Sequence, residues 1–485
     1  MSGGEGSMND GLTDDLTDGL TDDRIQATLE LLNEARDLSI EDPRRERLER
    51  AASGLFRDGR RKRRSATRGA RATADAGIQA GTVMGAPDRT MDAPPADVNP
   101  ERDDRSVGEL GRPQRCYVCK DHYRRIHHFY HRLCPDCARD NLARRRARTD
   151  LTGHRALLTG GRVKIGHQLA LMLLRDGADL TVTSRFPQDA VRRFAAAPDA
   201  ADWWERLRVA ALDLRDPRQV LAFTDHLLAE ARPLDILINN AAQTLRRSPR
   251  AYSALAAAEA APALPAGQAP VVWTAPDFGV PGATNTELAG RSWAAGLVPR
   301  TTGTPETDGS VLAAVDEAGL LTETAAENSW TARLGGVDPA EMLEVQLVNA
   351  VAPFLLADRL LPLLESSPRA RRYLLNVSAV EGQFTVHKKT SGHPHTNMAK
   401  AALNMLTRTS AADLAERGIH VCSVDTGWVT DEKPLPARER HAATGWRPPL
   451  DIVDGAARIY HPIVQGQAGS PVHGVLLKDY RPVAW

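Results

Sequence analysis

A chain of 485 residues exceeds one ordinary domain, so a core domain with appended segments is expected. Lysine plus arginine and aspartate plus glutamate both total 62, which excludes wholesale electrostatic attraction to nucleic acid or membranes and leaves any such role to local patches. The amino terminus MSGGEGSMND lacks a basic start followed by an apolar run, and no long apolar stretch stands out, so a cytoplasmic protein without membrane segments is expected.

Residues 1–23 repeat the phrase GLTDDLTDGLTDD, too poor in large apolar side chains to offset chain entropy, and read as a disordered acidic tail. Residues 24–112 read as short helices, a basic run and a linker. IQATLELLNEARDL and PRRERLERAASGLF space their apolar residues for two short amphipathic helices, GRRKRRSATRGARATA (59–74) is the basic run, and a Pro/Gly/Asp-rich stretch follows. The basic run reads first as solvated charge, with a nucleic-acid or protein contact as the competing reading.

Two CxxC knuckles, Cys116-Tyr-Val-Cys119 and Cys134-Pro-Asp-Cys137, are 14 residues apart, a spacing that wraps four thiolates around one ion. Residues 113–150 are therefore expected to form a module around a structural zinc. His127, His128 and His131 lie between the knuckles, but four cysteines already complete a closed site. A redox role is the weaker alternative, since no open position or separate nucleophile is implied. Cys422 stands alone in an apolar run.

After Asp150 apolar strands alternate with helices (RALLTG, HQLALMLLRDGA, DLTVTSR, LDILINNAA), which predicts an α/β fold with a parallel sheet and crossover helices. The alternation lapses over about 243–340, an insertion expected to be a lid or partly disordered. Strand RALLTG runs into Thr159-Gly160-Gly161-Arg162-Val163-Lys164-Ile165-Gly166, whose glycines let backbone amides approach a pyrophosphate at a helix amino terminus.

That turn resembles the TGxxxGxG loop of the short-chain dehydrogenases/reductases, with Lys164 in place of the middle glycine. Further features follow in the family's order over 151–485, so the resemblance implies a doubly wound, parallel-sheet Rossmann fold. It also implies a dinucleotide held by Thr159, Gly160, Arg162, Ile165 and Gly166. The next strand, LTVTSRF, ends in Ser184-Arg185 with no acidic residue for a ribose hydroxyl, which suits a 2′-phosphate and so NADP ahead of NAD. Asp213-Leu214 resembles the adenine-contacting position, Asn239-Asn240-Ala241 the family's NNAG, and Thr426-Gly427 its PG turn, with Thr430 near the family's threonine.

The catalytic pattern departs from the family. Lys400 stands at the lysine position, where it could hold the nicotinamide ribose, but Thr396 stands four residues earlier instead of tyrosine. A threonine hydroxyl is too weak an acid to replace an activated phenol. The serine position falls on Ala379, leaving Ser378 one place early, on the opposite side of a strand. Asn349 matches the relay asparagine. Among His387, His393 and His395, His393 would cap a helix starting at Pro394 and share a face with Thr396 and Lys400, making it the candidate proton carrier.

Two readings follow: an NADP-dependent oxidoreductase of a small-molecule substrate with an atypical site, or a non-catalytic NADP(H)-binding regulatory or scaffold protein whose zinc module binds a protein or nucleic acid. The stripe in ALNMLTRTSAADLA suits a homodimer or tetramer as well as a core.

Overall fold

Helix α1 (Asp22–Glu34) and helix α2 (Pro43–Ala80) open the described part of the chain, which in this computed structural model comprises residues 19–90, 93–95, 105–264, 270–282, 315–386 and 389–485. Residues Met1–Asp75 and Ala76–Trp485 form separate units. Residues 1–18 of the expected acidic tail lie outside the described residues, and Asp22 and Asp23 already belong to the first turn of α1, where negative charge is favourable. The basic run is no break between elements: 59–74 continue α2 without interruption, because Arg, Lys and Ala are good helix formers and carry the chain past Gly59 and Gly69.

The expected linker also ends early, at β1 (Ser106–Arg115), which pairs antiparallel with β2 (His122–His127) and leads to α3 (Pro135–Arg145). The nucleotide-binding fold then runs β3 (Arg155–Thr159), α4 (Lys164–Arg175), β4 (Asp179–Ser184), α5 (Pro187–Ala195), β5 (Leu207–Ala211), α6 (Pro217–Glu230) and β6 (Ile236–Asn239). Next come α7 (Ser253–Glu259), β7 (Val271–Thr274), α8 (Pro339–Gln346), a π-helical turn (Leu347–Val351), α9 (Ala352–Arg359), α10 (Leu361–Glu365) and β8 (Arg372–Ser378). The chain closes with α11 (Pro394–Glu416), β9 (Ile419–Asp425), α12 (Leu435–Ala443), α13 (Ile452–Gln467), β10 (Leu476–Lys478) and β11 (Arg481–Val483).

Nine strands form one sheet in the order β11-β10-β9-β8-β6-β3-β4-β5-β7, parallel except for β11. The strands are apolar on both faces, as a sheet covered twice requires. Ala156, Leu158, Ile236, Ile238 and Leu375 face one core with α4 and α13, while Leu157, Leu237 and Leu374 face the other with α6 and α11. From β3 the chain moves outward to β4 and β5, then returns to β6 on the other side. That reversal opens a crevice at the carboxyl ends of β3 and β6, where ligands of such sheets bind.

Part of the insertion is integral to this sheet. β7 extends its edge beside β5, and Tyr252 and Leu255 pack on Phe186; residues 265–269 and 283–314 lie outside the described residues. Pro339–Arg359 is long and apolar enough, by length and composition alone, to cross a membrane. Half of it is buried within the fold, and Val348, Ala352 and Leu356 belong to the second core, so it serves as a core helix.

Candidate functional site

At the phosphate end of the crevice, β3 turns into α4 through backbone that side chains would obstruct. A Cβ on Gly166 would lie 1.9 Å from the Gly160 carbonyl oxygen, and Gly160 itself has φ +74°. Lys164 adopts φ +53°, the left-handed conformation a glycine would take freely. The N-cap of α4 is Val163, which has no side-chain oxygen, so no side chain caps the first-turn amides. The Lys164 ammonium lies 4.0 Å from Glu432.

The residues expected at this turn converge. Thr159 Oγ1 accepts from the Asn240 and Ala241 amides at 3.0 Å each, and Asn240 Nδ2 donates to the Thr159 and Gly160 carbonyls at 3.0 and 3.1 Å. Gly427, at φ +79°, donates its amide to Asp425 at 2.6 Å.

Three of the residues expected at the cofactor turn their side chains elsewhere. The Arg162 guanidinium is committed to Asp189 (2.5 Å) and the Ala318 carbonyl (2.7 Å), so it ties the insertion to α5 and leaves only its backbone at the turn. Ile165 turns toward Gly455 and Val429, and Leu214 packs into the second core. At the adenosine end, Ser184 is buried and accepts from the Phe186 amide at 2.9 Å. Arg185 lies over the Tyr252 ring at 5.5 Å and makes no ion pair among the described residues. Burial alone would raise the Asp213 carboxyl, but Arg215 and Arg185 hold it below the usual range.

At the chemical end, Lys400 is buried and donates from Nζ to the Val377 carbonyl at 2.7 Å. Burial lowers its pKa to about 8, against the opposing pull of Glu381. Beside Val377, the hydroxyl of Ser378 is buried without a hydrogen-bond partner, and so is that of Thr396 one helical turn before Lys400. Asn349 sits in the π-helical turn with its amide spent on the Gln243 backbone, accepting at 2.7 Å and donating at 3.0 Å, which pins the start of the insertion.

His393 is the N-cap residue of α11, but its side chain makes no capping bond. Its ring instead stacks on Trp330 at 4.0 Å, and Nδ1 meets the Trp330 carbonyl at 2.9 Å. A carbonyl only accepts, so neutral His393 carries its proton on Nδ1 and presents Nε2 as an acceptor. His395 faces Glu341 at 3.4 Å in a buried pair, and His387 lies outside the described residues. A cavity of about 1950 Å³ runs from Asp213 and Tyr252 at the adenosine end past Gln243 and Arg246 to Thr331 and Ala332, with none of Ser378, His393, Thr396 or Lys400 in its lining. Trp330, which fixes His393, lies in a stretch without motif or periodicity and left no signal in the sequence.

The four cysteine sulfurs lie within 4.8 Å of one another, with Cys119 and Cys134 3.8 Å apart. Tetrahedral Zn–S bonds of about 2.3 Å place sulfurs roughly 3.8 Å apart, so the cluster fits that ion. A hydrogen bond from Cys137 and the backbone amide of Cys134 hold the Cys116 thiol below its usual range. None of the three nearby histidines joins the cluster among the described residues. His131 is buried with its pKa pushed down to about 3, bonding through Nε2 to the Arg447 carbonyl at 3.3 Å.

This module is no appendage. Cys116, Phe129, Tyr130 and Leu133 share a core with Val429, Leu450 and Ile452, and Arg145 pairs with the buried Asp451 at 2.6 Å at the start of α13. Tyr117, inside the first knuckle, accepts at 2.9 Å from the Trp428 amide, directly after Gly427.

The sequence model of the short chain dehydrogenase family matches residues 154–260, and that of the enoyl-(acyl carrier protein) reductases matches 311–443. An uncharacterized protein of Acanthamoeba polyphaga mimivirus is 31% identical over 371 residues, 72% of this chain and 71% of its own length. The chain belongs to the short-chain dehydrogenase/reductase superfamily. A "Probable oxidoreductase" of Streptomyces antibioticus is 42% identical over 95 residues, so this short-chain dehydrogenase/reductase spans only 30% of that relative's length. Among solved structures, the NADPH-bound carbonyl reductase from chicken fatty liver aligns over 69% of this chain and all of its own, at 17% identity and a TM-score of 0.42.

Proposed function

We propose that this superfamily member is an NADP(H)-dependent oxidoreductase that works without the family's tyrosine, and that its four cysteines hold a structural zinc. The observation that carries this reading is the buried Lys400 bonded to the Val377 carbonyl, with two buried, unpartnered hydroxyls on the same two elements: Ser378, next after Val377 at the carboxyl end of β8, and Thr396, one helical turn before Lys400 on α11. An unsatisfied buried polar group costs about 1–3 kcal/mol, so two of them on the elements that hold a buried amine favour a site completed by a polar ligand or its water.

The crevice suits the cofactor. The uncapped amides of α4 would take its pyrophosphate, Arg185 its 2′-phosphate, the backbone carbonyls at Asn240, Ala241 and Gly427, whose amides are spent on Thr159 and Asp425, its neighbouring hydroxyls, and Lys400 its nicotinamide ribose. When bound, the cofactor supplies or takes up a hydride. Lys400, protonated at neutral pH, is the fixed proton source for carbonyl reduction, and Ser378 or Thr396 with water would pass that proton on. His393 Nε2 suits the opposite direction, accepting a proton when an alcohol is oxidised.

The test is fluorescence titration of the full chain with NADPH and NADH, followed by NADPH consumption against aldehydes, ketones and enoyl thioesters. Saturable NADPH binding with turnover of one class is expected. Absence of binding overturns the proposal, and binding without any turnover transfers the site to the second reading, a non-catalytic NADP(H)-responsive scaffold. That reading draws on Tyr117, which links the cysteine module to the turn at Gly427. A partner captured only with NADPH present would support it.

A further inference from the structure

The nucleotide crevice leaves the basic run of α2 without a role, and the helix organises that run in a way its composition does not reveal. Arg57, Arg60, Arg61, Arg64, Arg68 and Arg71 recur at helical spacings of three, four and seven. With 3.6 residues per turn and a 1.5 Å rise, these six fall within an arc of about 100° and extend over roughly 21 Å of axis. All six are exposed. Asp58 is the one acidic residue from Arg57 to Ala74, and it pairs with Arg61 at 3.1 Å. Arg60, Arg64, Arg68 and Arg71 make no ion pair among the described residues, a concentration of like charge that an isolated helix gains nothing by keeping.

We propose that this arginine stripe is a docking surface for double-stranded DNA, read through its phosphates without sequence preference. Guanidinium groups match phosphate geometry bidentately, which favours a polyphosphate over a merely acidic surface. From Arg57 to Asp75 the helix carries no large apolar or aromatic side chain. The stripe itself therefore offers nothing to insert into a bilayer and no platform on which unpaired bases stack, and the exposed Leu55 and Phe56 stand outside it, before its first arginine. A straight helix about 10–12 Å across enters the major groove of B-form DNA, about 12 Å wide, but not the deep, narrow groove of A-form RNA. The surface lies wholly within the unit Met1–Asp75, so the proposal stands apart from the reading of the crevice.

The test uses the full chain and a fluorescent duplex of about 20 base pairs, with anisotropy followed between about 50 and 200 mM salt. Six neutralised phosphates predict a slope of log K against log salt on the order of −5. Arg60→Gln, Arg64→Gln and Arg68→Gln together should weaken binding at least tenfold and flatten the slope by about 3, with helix content by circular dichroism unchanged. The paired change Lys62→Gln and Arg63→Gln, off the stripe, should leave a clearly tighter complex than the triple variant. The proposal is overturned by absence of binding at the lowest salt, by equal losses from on-stripe and off-stripe changes, or by preferential binding of single-stranded DNA, duplex RNA or phosphatidylserine vesicles. NADPH should alter none of these values.

Discussion

Lys164 and Thr396 each stand where the family has another residue, one at each end of the same crevice, and the two ends absorb the change differently. At the phosphate end the lysine backbone takes the left-handed conformation of the glycine it replaces, at a cost on the order of 1 kcal/mol. The amides that would face a pyrophosphate remain, because every residue but proline supplies one. At the chemical end a phenol is replaced by an aliphatic hydroxyl, and no backbone adjustment restores an acid. Binding that rests on main-chain groups tolerates substitution, whereas chemistry that rests on one side chain must be reassigned to Lys400, Ser378 and His393 or given up.

The strongest way to break this contrast is Lys400→Met. Turnover should fall by about 10²–10⁴-fold if the lysine is the proton source. Thermal stability should instead rise. Depression of the Lys400 pKa from 10.5 to about 8 means its burial opposes folding at neutral pH by on the order of 3 kcal/mol, of which about 1 kcal/mol returns as the lost bond to Val377. Because the folded protein releases this proton first, the penalty is whole below pH 8 and fades as pH rises from about 8 toward 10.5, where the variant should lose its advantage and fall below wild type by the lost bond alone, about 1 kcal/mol. Wild-type carbonyl reduction should decline above pH 8. A rate that stays level to about pH 10 removes Lys400 from the proton path.

Metal removal comes next. Full-length protein should carry about one zinc per chain, and stripping it should lower the melting temperature by more than about 5 °C. NADPH affinity should fall several-fold with it, because Tyr117 and the shared core reach the turn at Gly427. Unchanged melting after metal analysis confirms its loss would deny the module this supporting role. Arg185→Ala, read by titration with both cofactors, should cost NADPH about tenfold in affinity relative to NADH. An undiminished NADP preference would move the 2′-phosphate elsewhere. The smallest effect is expected from Lys164→Gly, within about threefold in NADPH affinity, since a lost charge and relieved strain oppose each other. A loss beyond about tenfold would show that the lysine side chain, rather than the backbone, grips the phosphates, and the contrast between the two ends would fail.

Strand and helix order in the nucleotide-binding fold, the glycine turn and the convergence of four cysteines were legible in the chain itself. Apolar periodicity and short spacings act between neighbours, and neighbours are what a sequence lists. The continuity of α2 through its basic run was legible in principle too, since propensity favours helix there, but charge density obscured it. Folding alone decided which distant partner each side chain takes. Arg162 turns to Asp189 and Ala318, Leu214 to the core, Asn349 to Gln243, and Tyr117 to Trp428. His393 shows the reason most plainly. Its place at the start of α11 follows from Pro394, but its tautomer depends on the carbonyl of Trp330, 63 residues away, brought to it by packing that no local pattern encodes.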